Sequence, residues 1–177
     1  MNDTWVRGDW MQTFSGLRFY PLDPRPDEID PRDIAHALSL LCRYGGHVDR
    51  FYSVAEHCVL MSEAVSAEHA LAALLHDATE AYVVDVPRPL KRQLPGYREI
   101  EDRVWYVIAL RFRIDLELPT AVKEADSRIL LTERDALMPR HDEWDVDGME
   151  PLPVAITGWS PEEAERRYAA RLTELRP

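Results

Sequence analysis

The chain has few cysteines: Cys42 and Cys58 are the only two among its 177 residues. Each falls within a segment of helical pattern, so the two could pair only if those helices brought them together. We therefore expect two buried free thiols and a protein that stays in the reducing cytoplasm. At this length the chain can bury about 70% of its unfolded surface without a disulfide or a metal, and we predict one domain spanning residues 1–177.

The sequence also lacks an apolar run near the roughly 20 residues that span a bilayer. Its first ten residues, MNDTWVRGDW, do not show the charged-then-apolar order of a signal peptide. We therefore expect no membrane partner.

Basic residues are outnumbered by acidic ones. The 21 lysines and arginines face 32 aspartates and glutamates, which gives a net charge of −11. Most of the surface should then repel a nucleic-acid backbone, so we expect no nucleic-acid polymer as a partner. A phosphate-bearing ligand would have to be met locally, by a few arginines and lysines or by a metal ion.

Strand-forming residues are concentrated near the N-terminus. Short β-prone runs at residues 11–14 and 17–20 flank Ser15-Gly16, a two-residue turn of the kind that closes a hairpin. The remaining periodicity is helical. Helices are predicted from Pro31 to the Gly45-Gly46 pair, from Ser53, from Ser66 into the His76-Asp77 region, from Gly96 to about Phe112, from Pro119 through residue 138, and from Ser160 to about Leu175. The predicted fold class is all-α, a helical bundle with one small N-terminal β-hairpin.

Capping boxes are predicted at two of these helix starts. Ser53 is followed three residues later by Glu56, and Ser160 by Glu163, so each serine would cap its helix and each glutamate would reach back to it. Arg43 and Tyr44 would fall on the last turn of the first helix. Between residues 139 and 158, proline, glycine, aspartate and tryptophan occur without periodicity, which predicts a surface loop.

Residues 71–91, LAALLHDATEAYVVDVPRPLK, change character more abruptly than most soluble helices do. An apolar helical run meets His76 and Asp77, then Glu80 one turn later, then Asp85 and a basic, proline-broken tail. Groups able to bind or activate a polar ligand thus follow directly on a segment built for burial. This composition is typical of a site at the edge of a core, and we predict the active site here.

A metal ion is one ligand that this stretch can bind. Adjacent helical residues project about 100° apart, so His76 and Asp77 can both reach an ion placed between them beside the helix. Further ligands are expected from His57 and Asp126, because each lies next to an apolar stripe that faces the same core. Two imidazoles and two carboxylates suit Mn, Co, Fe, Ni, Zn or Mg and do not choose sharply among them.

Each of these residues also has a simpler interpretation when taken alone. A histidine beside a core is more often a hydrogen-bonded structural residue than a ligand, and Asp126 could pair with Lys123 or Arg128 on the surface. Glu80 could be a solvated helix residue, and the basic residues of RPLKR could form a solvated turn. The combination, rather than any one residue, favours a site.

That combination resembles the HD-domain metal-dependent phosphohydrolase superfamily, whose pattern is a histidine, then a His-Asp pair, then a distant aspartate on a bundle of helices. The resemblance extends from Thr13 to about Met138 and is carried by LCRYGGHVDRFYSVAEHCVL, ALLHDATEAYVVDVPRPLKR and VKEADSRILLTERD. Within the superfamily the chain looks like the small YfdR-like branch of bacteria and phages. It is similar, more distantly, to YfbR-type 5′-deoxynucleotidases and to HD-domain deoxynucleoside triphosphohydrolases of phages.

The resemblance implies a role for each residue of the pattern. Glu80 and Asp85 would be catalytic: Glu80 would activate or orient the attacking water, and Asp85 would lie near the sugar and that water. One divalent metal ion, which further ions can join when substrate binds, would be held by His57, His76, Asp77 and Asp126.

Candidate substrate-binding residues come from the resemblance and from residue chemistry. By resemblance, Arg43 occupies the place of a phosphate-binding arginine. Tyr44 stands where YfbR-type enzymes have a tryptophan that disfavours a ribose 2′-hydroxyl, so strictness for deoxyribose is not implied. From its chemistry, Lys91 could neutralise phosphate charge. His47, which follows two glycines, could contact phosphate or make a structural hydrogen bond.

We therefore expect a metal-dependent nucleotide phosphohydrolase, with the 5′-phosphate of a (deoxy)nucleoside monophosphate as the favoured target. A deoxynucleoside triphosphate triphosphohydrolase is the alternative within the enzyme class. A metal- or nucleotide-binding regulator without turnover is the alternative from another class, and the acidic surface and small size disfavour a cyclic-dinucleotide or RNA phosphodiesterase. The resemblance also implies a homo-oligomer, for which apolar positions at residues 100–112 are candidates.

Overall fold

The computed structural model describes residues 7–138, 142–146 and 148–176. Residues 1–6 and 177, and residues 139–141 and 147 of the predicted loop, lie outside the described residues. The structure is mostly helical with one two-stranded hairpin, which confirms the predicted fold class. In chain order its elements are β1 (Met11–Gln12), β2 (Arg18–Phe19), α1 (Pro31–Leu40), α2 (Val54–Ala64), α3 (Ala70–Leu75), α4 (Glu80–Val83), α5 (Arg88–Lys91), α6 (Tyr97–Phe112), α7 (Thr120–Leu137) and α8 (Pro161–Leu175).

The hairpin packs onto the helices through its second strand. Strands β1 and β2 are antiparallel, and the N–H of Thr13 donates to the carbonyl of Leu17 at 3.0 Å to close the turn between them. Phe19 is fully buried, and its ring stacks on that of Tyr82 in α4 with 4.2 Å between ring centres. The hairpin thereby supports the short helix that begins at Glu80.

Helix α1 is shorter than predicted. Its start forms as expected, with the Asp30 carboxylate accepting from the Arg32 N–H at 2.8 Å. It ends at Leu40, so the predicted end at Gly45-Gly46 is wrong.

The chain beyond α1 pairs with the segment before α2 instead of continuing the helix. Cys42 forms an antiparallel bridge with Ser53, and the Arg43 N–H donates to the Tyr52 carbonyl at 2.9 Å. These cross-chain hydrogen bonds take the backbone groups that a longer helix would use. Arg43 and Tyr44 therefore lie on a separate 3₁₀ turn, Arg43–Gly46, and not on the last turn of α1.

Helix α2 is the central element of the fold. Every residue from Val54 to Ser62 is buried, and the helix packs against α1, α3, α7 and α8. A helix that is buried on all sides can carry polar groups only where partners meet them. The largest fully buried side chains among the described residues are Tyr52, Tyr168, Phe19, Ile29, Ile34, Leu38, Met61, Leu74, Leu75, Ile108, Ile129 and Leu137.

Only half of the capping box predicted at α2 forms. The Ser53 hydroxyl accepts from the Glu56 N–H at 3.0 Å, as predicted. The Glu56 carboxylate is fully buried and does not return to Ser53. It accepts instead from the N–H groups of residues 157, 158 and 159 at 3.0, 3.0 and 2.6 Å. Glu56 thus joins the start of α2 to the segment before α8.

Helix α8 begins with a similar one-sided cap. Ser160 accepts from the Glu163 N–H at 3.3 Å, while the Glu163 carboxylate pairs with Arg166 and Arg167 on the exposed face. Further along, the Tyr168 hydroxyl donates to the Leu74 carbonyl at 2.9 Å in the core. This bond holds α8 against α3, the helix that leads into the His-Asp pair.

The two cysteines are free thiols, as predicted. Cys58 is buried, whereas Cys42, which was also predicted to be buried, is only half-buried. Among the described residues, no helix is both long enough and apolar enough to cross a bilayer. Helix α6 leaves Tyr106 and Leu110 each 50% exposed, and the use of this face for assembly stays a prediction.

Candidate metal centre and its cavity

Three helices bring the four predicted metal ligands together. His57 lies near the start of α2, His76 ends α3 with Asp77 next to it, and Asp126 lies on α7. The Nε2 atoms of His57 and His76 are 3.2 Å apart. Oδ1 of Asp126 is 3.6 and 3.9 Å from these two nitrogens, and Oδ2 of Asp77 is 3.6 and 3.2 Å from them.

These separations fit one metal ion. Ligand atoms about 2.1 Å from a single ion lie roughly 3 to 3.5 Å from one another. The candidate donor atoms of His57, His76 and Asp126 all lie within 4.8 Å of one another. The two carboxylates are partly open to solvent, whereas His57 is fully buried. The residues can therefore hold a metal ion that enters from the carboxylate side.

Hydrogen bonds on the far side of each ring aim both imidazoles at the centre. Nδ1 of His57 lies 2.6 Å from Oε1 of Glu133, and Nδ1 of His76 lies 2.8 Å from the carbonyl of Ala73. Both oxygens can only accept, so each Nδ1 carries the hydrogen. The Nε2 lone pairs of the two rings are left facing each other, which is the arrangement found in metal-binding histidines.

Two facing lone pairs and two carboxylates repel one another unless a positive charge lies between them. The pKa values of His76 and Asp77 are shifted in the directions that favour a positive charge at this place. Burial opposes a charge on His76, but the neighbouring Asp77 outweighs it and raises the pKa of His76 well above its ordinary value. Burial would raise the pKa of Asp77, but His76 outweighs it and lowers that pKa strongly. The centre is therefore built to attract a cation.

Glu133 on α7 connects the centre to its surroundings. It is fully buried. Besides His57, its oxygens accept from the hydroxyl of Tyr52 at 2.8 Å and from the hydroxyl of Tyr44, and Nη2 of Arg43 lies 3.2 Å away. Burial alone would raise the pKa of Glu133, but the charge of Arg43 and the contacts with His57 and Tyr44 outweigh it and hold the pKa at about 2. The carboxylate thus stays ionised with four partners.

Arg43 lies between Glu133 and the candidate ligand Asp77. Its Nη1 donates to Oδ2 of Asp77 at 3.3 Å, and its side chain is almost fully buried. Within the described part of the chain, its Nε has no hydrogen-bond partner. A buried guanidinium with an unused donor beside a candidate metal centre can contact an anion.

Glu80 and Asp85 both face the same space as Asp77. Burial, and then the negative charges of Asp77 and Asp85, raise the pKa of Glu80 well above its ordinary value. Burial also raises the pKa of Asp85. Oε2 of Glu80 is buried and, among the described residues, has no hydrogen-bond partner. Such a carboxylate can accept a proton.

The backbone leading to Asp85 is strained. Val84 has φ +67° and ψ 157°, a backbone region that is almost confined to glycine. The Tyr97 hydroxyl lies 3.0 and 2.9 Å from the carbonyls of Val83 and Val84 and so braces this turn. Local strain of this kind is commonly found at functional sites.

A cavity of about 800 Å³ opens beside the candidate centre. A volume in this range suits a small-molecule ligand. All the predicted site residues except His57 and His76 line this cavity. Those lining residues are Arg43, Tyr44, His47, Asp77, Glu80, Asp85, Lys91 and Asp126.

The other basic residues of the cavity already have acidic partners. The Lys91 ammonium pairs with Glu101. Nη2 of Arg88, a side chain 63% exposed, lies 3.1 Å from Oδ2 of Asp126. Asp126 therefore pairs with Arg88 rather than with Lys123 or Arg128, while its Oδ1 points to the histidines.

Comparison with known proteins gives a family but no activity. No protein-family model matches the chain. The protein YfdR of Escherichia coli (strain K12) is 47% identical over 125 residues, which cover 71% of this chain and 70% of YfdR. The chain belongs to the YfdR family. A protein of Rhodobacter capsulatus is 39% identical over 126 residues, 66% of this chain and 64% of that protein. Both relatives bear the name "uncharacterized protein".

Sequence reasoning missed Glu133 in this YfdR-family protein. The sequence did contain a signal for it. Glu133 lies seven residues after Asp126, which is two turns along α7. It falls on the face otherwise made of Val122, Ala125 and Ile129. A charged residue within an apolar stripe must have partners in the core. Trp144, which also lines the cavity, had no sequence signal, because its segment has no periodicity.

Proposed function

We propose that this YfdR-family protein is an HD-domain, metal-dependent phosphohydrolase that removes the 5′-phosphate of (deoxy)nucleoside monophosphates. The observation that carries the proposal is the convergence of His57, His76, Asp77 and Asp126 beside a cavity that also holds Arg43 and Glu80. Donor groups for a cation, a proton acceptor and an anion contact are the parts that phosphate-ester hydrolysis needs at one place.

The four donor residues suit a divalent ion such as Mn, Co, Fe, Ni, Zn or Mg. Two imidazole nitrogens are already aimed by the hydrogen bonds that the rings donate to the Glu133 carboxylate and the Ala73 carbonyl, and two carboxylates supply negative charge. A divalent ion bound there lowers the pKa of water and polarises a phosphoryl oxygen.

Glu80 is the proposed proton acceptor. Its raised pKa makes it a better base than an ordinary carboxylate. Glu80 lines the cavity together with Asp77, and its Oε2 has no hydrogen-bond partner among the described residues, so we propose that it takes a proton from the attacking water. Asp85, held in place by the strained turn at Val84, would orient that water and the sugar of the substrate.

Arg43 is the proposed phosphate contact. Its planar guanidinium donates from several nitrogens at once, which matches the oxygens of a phosphoryl group. Its present contact with Asp77 is long, at 3.3 Å, and a phosphate oxygen can replace it. Lys91 and His47 are proposed to add positive charge or hydrogen bonds from the cavity wall.

The charges of the cavity favour one phosphate over three. Its described lining carries six carboxylates, those of Asp77, Glu80, Asp85, Asp126, Glu143 and Asp145, against the three cations Arg43, Arg88 and Lys91. All three cations have carboxylate partners in the structure. A triphosphate would carry more negative charge into a site that has little positive charge to spare.

The test is a screen of nucleoside mono-, di- and triphosphates with Mn²⁺, Co²⁺ and Mg²⁺, with products identified by ³¹P NMR. We expect inorganic phosphate from dAMP and no product from dATP. Release of tripolyphosphate from dATP would overturn the choice of a monophosphate. Metal and nucleotide binding without hydrolysis under any condition would overturn the enzyme proposal and favour a regulator.

A further inference from the structure

The cavity has an aromatic end built from Tyr44 and Trp144. Both residues line the cavity, and their ring centres are 6.1 Å apart with a 49° tilt between the rings. Tyr44 also donates its hydroxyl to Glu133, which holds His57. A chain of contacts therefore runs from the candidate metal centre to the indole of Trp144.

Both rings have contacts that restrict them. The Arg134 guanidinium lies 5.7 Å from the centre of the Trp144 ring, within the range of a cation–π contact. Tyr44 has φ +57°, a left-handed conformation that a bulky residue adopts only when its surroundings hold it there. An aromatic wall that is already restricted loses less conformational entropy when a flat ligand stacks on it.

The charges at this end disfavour a phosphate. Glu143 and Asp145 flank Trp144 in the chain, and both line the cavity. Arg43, by contrast, lies next to the candidate ligand Asp77. A ligand with an anionic group at one end and a neutral flat ring at the other matches this distribution of charge.

We propose that Trp144 stacks on the base of the substrate and that Tyr44 closes the side of this base subsite. The inference rests on the proposed function, because it assumes that the phosphate lies at Asp77 and Arg43. The 49° tilt leaves no parallel slot between the two rings, so the base stacks on the indole alone. The substrate class is then a nucleotide rather than a sugar phosphate or another phosphomonoester.

The experiment compares binding of dAMP and 2-deoxyribose 5-phosphate by isothermal titration calorimetry in Mn²⁺. The full chain carries Glu80→Ala in every case to suppress turnover, and is studied with Trp144 intact, with Trp144→Phe and with Trp144→Ala. Base–aromatic stacking is worth roughly 1 to 3 kcal/mol. This range corresponds to a factor of about 5 to 150 in Kd. We expect dAMP to bind more tightly than the sugar phosphate by such a factor, Trp144→Phe to keep most of this ratio, and Trp144→Ala to lose it.

Trp10→Ala is the matched control, because Trp10 lies on the hairpin side of the molecule against Arg18 and should leave the ratio unchanged. A ratio that survives Trp144→Ala, or equal binding of the two ligands to the parent, would overturn the base subsite and leave the phosphohydrolase proposal standing. If neither dAMP nor the sugar phosphate binds any variant, both proposals are overturned. Binding of dAMP that depends on Trp144, together with no hydrolysis by the Glu80-intact protein, would overturn the phosphohydrolase alone.

Discussion

Nδ1 of His57 lies 2.6 Å from Oε1 of Glu133, so a candidate metal ligand is held by a buried carboxylate. The same carboxylate contacts Tyr44 and Arg43 on the cavity wall. Carboxylates behind ligating histidines fix the ring orientation and raise the basicity of the metal-binding nitrogen. Glu133 thus positions a candidate metal ligand, His57, together with two proposed substrate-binding residues, Arg43 and Tyr44.

Replacing Glu133 by glutamine should weaken metal binding. The amide keeps the shape of the side chain but loses the charge, and its NH₂ group would face the donors of Arg43 or Tyr44. We expect the Kd for Mn²⁺ to rise about 10- to 100-fold, measured by isothermal titration calorimetry with folding checked by circular dichroism.

Glu165→Gln is the matched control for this prediction. Glu165 also pairs with a histidine, His36, at 3.0 Å, but this pair lies where α8 meets α1, and neither residue lines the cavity. This variant should bind Mn²⁺ like the parent. An unchanged Kd in Glu133→Gln would show that Glu133 does not support the metal ligand.

Substitutions of Asp77 and Glu80 should have different effects on metal binding and on nucleotide hydrolysis. Asp77→Ala removes a candidate ligand and should abolish both Mn²⁺ binding and nucleotide hydrolysis. Glu80→Ala leaves all four donors in place, so the Kd for Mn²⁺ should stay the same while kcat falls about 10²- to 10⁴-fold, the usual contribution of a general base. Calorimetry and a phosphate-release assay measure the two effects.

The exposed Asp102 on α6 provides the control for removing a negative charge, and Asp102→Ala should change neither quantity. Full activity of Glu80→Ala on every nucleotide tested would rule out its role as proton acceptor. Loss of Mn²⁺ binding in that variant would instead make Glu80 a metal ligand.

Helical periodicity predicted the fold class. The His-Asp pair, the apolar stripes beside His57 and Asp126, and the resemblance to HD-domain proteins together predicted the four residues that converge. The ends of helices were harder. Helix α1 ends at Leu40 because Cys42 pairs with Ser53. This pairing cannot be predicted from the sequence of the helix alone. The partners of Glu133 are equally non-local, since Arg43 and His57 lie far from it in sequence. Local sequence patterns predict helices and strands, whereas the position of a buried charge depends on partners that are distant in sequence.

Glu56 should be important for stability rather than for metal binding. Its buried carboxylate accepts three backbone N–H groups of residues 157–159. Glu56→Ala would leave these donors without their partner and should lower the free energy of unfolding by about 2 to 4 kcal/mol. Urea denaturation followed by circular dichroism measures the change.

Glu63→Ala, at an exposed position of the same helix, is the control and should change the free energy of unfolding by less than about 0.5 kcal/mol. Equal stability of the two variants would mean that water replaces the Glu56 carboxylate at little cost.

Gly158 should tolerate a side chain less well than Gly16, although both residues have positive φ. A Cβ on Gly158, at φ +76°, would lie 2.9 Å from the carbonyl oxygen of Phe51, whereas a Cβ on Gly16, at φ +87°, would meet nothing within 4 Å. Both alanine variants carry the backbone cost of a left-handed conformation, about 1 to 2 kcal/mol. Gly158→Ala should cost at least about 1 kcal/mol more, because the Phe51 segment must move. Urea titration of the two variants measures this difference. Equal losses of stability would mean that the backbone at residue 158 relaxes freely and that its hydrogen bond to Glu56 does not hold it in place.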